Sequence, residues 1–146
     1  MSSSEFLKLD NQLCFSLYAS SRAITRMYRP FLEELGITYP QYLVLLVLWE
    51  QQESTVKELS EKLDLDSGTL TPMLKRMEAQ QLLVRKRSQE DERVVLIHIT
   101  EAGQALSEKA ICIPQTLFAS SGLSPEEIVQ FNAQLKRIIT SVNAFI

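Results

Sequence analysis

Residues 55–100, TVKELSEKLDLDSGTLTPMLKRMEAQQLLVRKRSQEDERVVLIHIT, decide the fold of this chain. Thr55 and Glu58 have the spacing of a capping box, so we expect a short helix that begins there and ends near Leu63. Apolar residues then recur at helical spacing over residues 69–82, which predicts a second helix. Two short helices joined by a tight polar turn predict a helix-turn-helix.

The turn between these helices offers Asp66 and Ser67 as caps for the second helix. A cap at either residue places Pro72 near the first turns, where a missing backbone N–H costs least. We therefore expect the helix to continue through its proline.

A change of pattern after Leu83 predicts a β-hairpin. Two β-prone runs, VRKRSQ and VVLIHIT, flank the polar stretch EDER, and apolar residues alternate along the second run. A helix-turn-helix followed by a hairpin is the order of a winged helix.

The rest of the chain is expected to be helical, because only four glycines and five prolines interrupt it. The predicted helices run over residues 5–35 with a kink or break at Pro30 and a cap at Gly36, over 39–51 after the Thr38 capping box, from 100 towards 118 with a bend or division at Pro114, and from Ser124 onwards. The fold class is therefore mainly α with a small β-hairpin wing.

Composition limits the other possibilities. The chain has 146 residues, 45% of them hydrophobic, which suits one compact domain or a protomer that completes its core with a partner. No apolar run approaches the roughly 20 residues of a membrane-spanning helix, and the start MSSSEF does not resemble a signal peptide, so we expect a cytoplasmic protein without a membrane partner. With a single histidine, His98, and no phosphate loop, we expect no metal site and no cofactor.

Local charge favours DNA as a partner. The formal net charge is −3, yet residues 75–93 hold six basic side chains against four acidic ones. Short polar side chains at the start of the second helix suit base edges, basic ones suit phosphates, and Asp91 can hold a wing arginine for the minor groove. The predicted DNA-binding residues are Ser67, Thr69, Thr71, Met73, Lys75, Arg76, Arg87, Asp91 and Arg93. The alternative is a solvated hairpin with surface ion pairs, and the stripe of Arg22, Arg26 and Arg29 is interpreted as such a solvated or ion-paired face.

Three stretches carry a resemblance to a known family. DERVVLIHITEAG resembles the wing signature of the MarR winged-helix transcription regulators, and LDNQLCFSLYASSRA with DSGTLTPMLKRME resembles their organic hydroperoxide-sensing OhrR group. The resemblance implies a single domain, with dimerisation helices over residues 5–36 and 101–146 and a DNA-binding lobe over 37–100. It also implies a homodimeric repressor that binds an inverted-repeat operator until organic hydroperoxides oxidise its cysteine, and not an enzyme.

Cys14 is the redox-sensing residue that this resemblance implies, with Tyr28 and Tyr39 as the hydroxyls that stabilise its thiolate. A thiol reacts with peroxide as the thiolate, and an apolar environment alone disfavours that anion. Tyr28 follows Cys14 by 14 residues, roughly 21 Å along one helix, so it can reach only the cysteine of a partner subunit. Tyr18, one turn beyond Cys14, is a further candidate.

Side chains around Cys14 suggest the class of oxidant. An apolar pocket of Leu13, Phe15 and Tyr18 would favour alkyl or lipid hydroperoxides over hydrogen peroxide, because an organic tail can be buried there. The alternative interpretation of Cys14 is a buried structural thiol, and of the tyrosines core packing.

Cys112 has two interpretations. It is a candidate resolving cysteine for the sulfenic acid of Cys14, although it departs from the position that the family uses, or it is a small apolar residue between Ile111 and Ile113. Without it, a small thiol would cap the sulfenic acid as a mixed disulfide, or oxidation would continue to sulfinic acid.

Three other functions stay open at this point. The first is a MarR-type repressor released by a non-covalent aromatic or phenolic ligand. The second is a thiol peroxidase that uses Cys14, and the third is a winged helix that mediates protein contacts alone.

Overall fold

The computed structural model describes residues 1–146, which form two compact units, residues 1–110 and 111–146. The elements are α1 (Ser3–Phe6), α2 (Leu13–Leu35), α3 (Tyr39–Gln51), β1 (Glu53–Thr55), α4 (Val56–Leu63), α5 (Ser67–Ala79), β2 (Leu83–Arg87), β3 (Val95–Ile99), α6 (Glu101–Ala110), α7 (Cys112–Ser120) and α8 (Pro125–Phe145). The predicted fold class, helices with a small β wing, is confirmed.

Helix α3 is the centre of the first unit. Val44, Leu45 and Leu48 are fully buried in it, as its uniformly apolar sequence indicates. The helix begins at the predicted capping box, in which Gln41 N–H donates to Thr38 Oγ1 at 3.4 Å and Gln41 Oε1 accepts from Thr38 N–H at 3.1 Å. No single helix in the structure is long and apolar enough to span a membrane; α2 and α3 together pass that test, and the chain bends by 71° between them.

The wing is a three-stranded antiparallel sheet in the order β1-β3-β2. The predicted hairpin of β2 and β3 is present, with Leu83 opposite Ile99 and Arg87 opposite Val95. The sequence did not predict β1, in which Glu53 lies opposite His98. The His98 Nε2 atom lies 3.0 Å from a Glu53 carboxylate oxygen, so a polar side-chain contact accompanies this strand pairing.

The expected helix over residues 5–35 is wrong at its beginning. A short helix ends at Phe6, a 3₁₀ turn follows, and α2 begins at Leu13 after an extended Gln12. Side-chain amides cause the interruption, because Asn11 Nδ2 donates to the Glu5 carbonyl at 2.8 Å and Gln12 Nε2 to the Lys8 carbonyl at 3.1 Å. At Pro30, by contrast, α2 is not broken, and it ends as expected at Gly36, with φ 71°.

The helix that follows the wing is divided, but not at Pro114. α6 ends at Ala110 and α7 begins at Cys112. Pro114 is the third residue of α7, where a helix has no carbonyl partner for an N–H group. The proline therefore lies within the new first turn and does not itself form the joint.

The Thr100-Glu-Ala-Gly103 segment locks the end of the wing to the start of α6. Thr100 Oγ1 donates to the Gln81 carbonyl at 2.6 Å and accepts from Gly103 N–H at 3.0 Å. A Cβ atom on Gly103 would lie 2.2 Å from the Leu82 carbonyl oxygen. Only glycine fits there, and its carbonyl accepts from Trp49 Nε1 at 2.9 Å.

The second unit consists of α7 and α8. Ser124 and Glu127 form the predicted capping box of α8, with N–H to side-chain distances of 3.1 and 3.0 Å. No residue of α8 is buried within the chain. Its apolar stripe is open to solvent, with Phe131 49%, Ile139 58% and Val142 51% exposed.

Candidate nucleic-acid interface and thiol site

Helices α4 and α5 form the predicted helix-turn-helix. Thr55 Oγ1 caps α4 by accepting from Glu58 N–H at 3.0 Å, and the helix ends at Asp64, which adopts a left-handed conformation with φ 53°. Asp66 then caps α5, because its Oδ1 atom accepts from Thr69 N–H at 2.8 Å. The caps fix where the second helix starts and so which side chains lie at its N-terminus.

Helix α5 has a buried face and an exposed N-terminal end. Leu70, Leu74 and Met77 are buried in the core of the first unit. Ser67 and Thr69 are exposed, Thr71 is half-buried, and Lys75 and Arg76 are exposed. Pro72 lies within the helix on the exposed side.

The burial of Met73 contradicts its predicted role as a DNA-binding residue. Its side chain is only 5% exposed, because it faces the core with Leu70 and Met77. Met73 therefore holds the helix in place and does not offer a surface to DNA.

The wing tip holds its arginine as predicted. Arg93 Nε and an Nη atom donate to the two carboxylate oxygens of Asp91 at 3.1 and 3.2 Å, and Arg93 N–H also donates to Asp91 at 3.1 Å. These hydrogen bonds from Arg93 lower the pKa of the Asp91 carboxyl, so the pair persists well below neutral pH. The Arg93 side chain remains 90% exposed, which leaves its outer edge open to a ligand.

A second arginine ties the wing to α5. Glu78 accepts from Arg85 N–H at 2.8 Å and from Arg85 Nε at 3.2 Å. The backbone hydrogen bond from Arg85 is the main cause that lowers the pKa of Glu78. At the tip, Arg87 donates to the Glu92 carbonyl at 2.9 Å.

A groove lies between α4, α5 and the wing. Ser67 and Thr71 of α5 line one part of it, and Arg85 and Arg93 of the wing line another. The structure thus brings together polar and basic residues that lie far apart in sequence. An anionic polymer laid along the groove would meet donors from both elements.

Cys14 is the second residue of α2 and is exposed. Around it, Leu13 is 61%, Phe15 44% and Tyr18 60% exposed. The predicted apolar pocket is therefore not closed by this chain on its own. Tyr18 lies beneath Arg22, whose guanidinium carbon is 5.4 Å from the ring centroid.

Tyr28 and Tyr39 do lie together, at the junction of α2 and α3. Their ring centroids are 6.1 Å apart, and Tyr42, which the sequence analysis did not select, completes the cluster at 6.4 and 6.1 Å. Tyr42 follows Tyr39 by three residues on one helix, which is the signal that could have identified it. Burial, and the nearby Tyr39, raise the pKa of the Tyr28 phenol.

Cys112 lies in the second unit, at the start of α7, and is exposed. Thr116 Oγ1 donates to its carbonyl oxygen at 2.7 Å. Neither cysteine forms a disulfide within the chain.

Comparison with known proteins decides the family. Residues 26–110 match the family described as transcriptional regulator SarA/Rot, and the organic hydroperoxide resistance transcriptional regulator of Bacillus subtilis (strain 168) is 55% identical over 139 residues, 95% of each chain. The chain belongs to the MarR family of winged-helix transcription regulators, and within it the chain is similar to an organic hydroperoxide resistance regulator. It is a regulator and not an enzyme.

Solved structures of AbfR of Staphylococcus epidermidis resemble the regulator over nearly its whole length. Reduced AbfR bound to DNA superposes with a TM-score of 0.78 at 39% identity, covering 97% of the regulator and 99% of that chain. AbfR with its disulfide formed superposes with a TM-score of 0.64 at 37% identity, covering 98% of the regulator and 95% of that chain. The winged helix of the regulator is therefore a DNA-binding domain.

Proposed function

We propose that this chain is a homodimeric, redox-sensing repressor that releases an inverted-repeat operator when an organic hydroperoxide oxidises Cys14. The observation that carries the proposal is the arrangement of an exposed thiol at one end of α2 and two packed phenols, Tyr28 and Tyr39, at the other. The Bacillus subtilis relative is named for organic hydroperoxide resistance, which supports this class of oxidant. A repressor that binds its operator in this way would act in the cytoplasm.

Operator binding uses α5 and the wing. Ser67, Thr69 and Thr71 lie at the end of α5 that would meet base edges, and Lys75, Arg76 and Arg87 would contact phosphates. Arg93, held by Asp91, would enter the minor groove. Glu78 and Arg85 keep the two elements in a fixed relation, so both can engage one half-site at once.

The dimer would cover apolar side chains that the single chain leaves exposed. They lie around Cys14 on α2 and along α8, where Phe131, Ile139 and Val142 are about half exposed or more. Exposed apolar surface of this extent indicates a protein partner, and a symmetric operator matches a second copy of the same chain. Dimerisation through residues 5–36 and 101–146 would leave the lobe of residues 37–100 free to bind DNA.

The partner subunit would complete the thiol site. Tyr28 lies 14 residues beyond Cys14 on the same continuous helix, roughly 21 Å along its axis. The phenols that bind a given Cys14 must therefore come from the other chain. Because its pKa is raised, the Tyr28 phenol keeps its proton and can donate a hydrogen bond to a thiolate. Tyr18 would lie beside the thiol from its own helix.

The reaction itself is a two-electron oxidation. The Cys14 thiolate attacks the distal oxygen of a hydroperoxide, the O–O bond breaks, and the alkoxide takes a proton, which gives a sulfenic acid and an alcohol. A small thiol then condenses with the sulfenic acid to form a mixed disulfide and water. Alternatively, Cys112 is the attacking thiol and resolves it as an inter-subunit disulfide.

Cys14→Ser tests the proposal, with Cys112→Ser as the matched control. Reduced wild-type and both variant chains should bind fluorescent operator DNA equally, and cumene hydroperoxide should release DNA from the wild type but not from Cys14→Ser. Release from Cys14→Ser would disprove sensing by this residue. Mass spectrometry without reductant then separates the fates of the sulfenic acid, because a linked dimer that is lost in Cys112→Ser identifies Cys112 as the resolving thiol, and a monomer with an adduct does not involve it.

A further inference from the structure

A hydrogen bond joins α5, the proposed recognition helix, to the turn between Tyr28 and Tyr39. Gln80 caps the C-terminus of α5, and its Nε2 atom donates to the Gly36 carbonyl at 3.0 Å. Gly36 ends α2, eight residues after Tyr28 and three before Tyr39. One side chain of the DNA-binding lobe thus contacts the backbone that carries both phenols.

The turn of residues 36–38 is held rigidly. Gly36 N–H donates to the Glu33 carbonyl at 3.0 Å, Ile37 N–H to the Leu32 carbonyl at 3.1 Å, and Thr38 N–H to Gln41 at 3.1 Å. Ile37 is buried, and Gly36 adopts a left-handed conformation that suits glycine. A displacement of α2 at Tyr28 or of α3 at Tyr39 would therefore be passed to the Gly36 carbonyl through these hydrogen bonds.

The recognition helix can pass such a movement on. α5 has 13 residues, roughly 20 Å of continuous helix, with Gln80 at one end and Ser67 at the other. A shift of its C-terminal end tilts the N-terminal residues that face the DNA. Half-sites of one operator lie about 34–36 Å apart, so a small tilt in each protomer disturbs the fit.

We propose that Gln80 is the positioning residue that couples the state of the thiol site to the recognition helix. The inference rests on the proposed function, because it assumes that oxidation of the partner's Cys14 displaces Tyr28 and Tyr39. Gln80 acts through its hydrogen bond to Gly36, and its effect is on how strongly oxidation weakens operator binding.

Three substitutions distinguish the effect of the Gln80 N–H donor from the effect of side-chain size. Gln80→Glu keeps the shape but loses the N–H donor, Gln80→Ala loses the side chain without adding charge, and Gln80→Lys keeps a donor of similar reach. Gln51→Ala is the matched control, an exposed glutamine near the end of α3 with no side-chain hydrogen bond. Operator affinity is measured for each chain before and after oxidation, with the extent of Cys14 oxidation determined by mass spectrometry.

We expect all chains to be oxidised equally and to bind the operator similarly when reduced. Oxidation should weaken binding by about fivefold less in Gln80→Glu and Gln80→Ala than in the wild type, the loss of one neutral hydrogen bond. Gln80→Lys and Gln51→Ala should respond as the wild type does. If Gln80→Glu does not fold, as judged by circular dichroism, Gln80→Ala makes the same comparison.

Two results would overturn the inference. A wild-type response in Gln80→Ala and Gln80→Glu means that the hydrogen bond couples nothing. An equal loss of affinity in their reduced and oxidised forms means that Gln80 is only a structural contact. If the wild type itself does not release DNA on oxidation, the proposed function fails instead.

Discussion

At the scale of single residues, the proposed sensor depends on a proton that stays on Tyr28. Only the neutral phenol can donate to a thiolate, and burial among Tyr39 and Tyr42 favours that neutral form. The thiol of Cys14 is exposed in the single chain. Within a single chain, the Tyr28 phenol is thus buried and the Cys14 thiol is exposed, and the proposed sensor forms only when a second chain brings them together.

The raised pKa of Tyr28 predicts how stability depends on alkaline pH. The folded chain holds this proton more tightly than the unfolded chain, whose phenol has a pKa near 10.0. The stabilisation is therefore fully present below that value and is lost as pH rises through the higher folded value. Urea unfolding across this range should show a decline that Tyr28→Phe reduces, and an unchanged decline would contradict the assignment.

Arg93 is predicted to contribute to operator affinity directly. Removing it with Arg93→Ala should cost about 1–3 kcal/mol of binding free energy and lower the salt dependence of binding by about one ion. Arg26→Ala is the control, because it also removes one exposed positive charge but lies on the stripe interpreted as a solvated face. Equal losses in the two variants would mean that net charge, and not the wing contact, governs affinity.

At the scale of elements, most helices follow from capping signals in the sequence. Thr38, Thr55 and Ser124 each cap a helix where their spacing predicts one. These signals are local, involving residues three apart, so no knowledge of the fold is needed to find them. The hairpin was predictable for the same reason, since alternation along residues 95–99 is itself local.

The elements that were not predicted depend on contacts between distant residues or on side-chain amides. β1 is a three-residue strand that exists because it pairs with β3, more than forty positions away. The interruption before Leu13 comes from hydrogen bonds of Asn11 and Gln12 to the preceding turn. Hydrophobic periodicity in the sequence predicts neither the pairing of β1 nor this interruption. Met73, by contrast, lies on the apolar stripe of α5 with Leu70 and Met77, so periodicity itself predicts its burial.

Gly103 provides a test at this scale. In Gly103→Ala, the new Cβ would lie 2.2 Å from the Leu82 carbonyl oxygen, so β2 and α6 must separate. We expect a loss of about 1–3 kcal/mol in the free energy of unfolding, measured by urea titration. Ala102→Gly, next to it and exposed, is the control for helix propensity. A stable Gly103→Ala chain would contradict the tight packing described here.

At the scale of the whole molecule, assembly is the property on which the proposed function depends. The sequence indicates this assembly through the apolar stripe of α8, whose side chains are not buried within the chain. The proposed pairing of Tyr28 of one chain with Cys14 of another was predictable from their spacing of 14 residues along one helix. What sequence alone could not give is the packing of Tyr39 and Tyr42 against Tyr28 across two helices.

Ile139→Asp tests the proposed dimer. A carboxylate in the middle of the α8 stripe should prevent association, so sedimentation velocity should give a monomer. Operator affinity should fall about a hundredfold or more, because two half-sites are no longer bound together. Asn132→Asp adds the same charge to an exposed polar position and should remain dimeric. A dimeric Ile139→Asp chain would place the interface elsewhere.

The continuity of α2 has a genetic consequence. Because Cys14 and Tyr28 lie roughly 21 Å apart along one helix, each protomer of the proposed dimer would give its thiol to one sensor and its phenol to the other. A mixed dimer of Cys14→Ser and Tyr28→Phe chains would then hold one sensor with both groups intact and one with neither. Two defective alleles expressed in one cell should restore a response to hydroperoxide that neither gives alone.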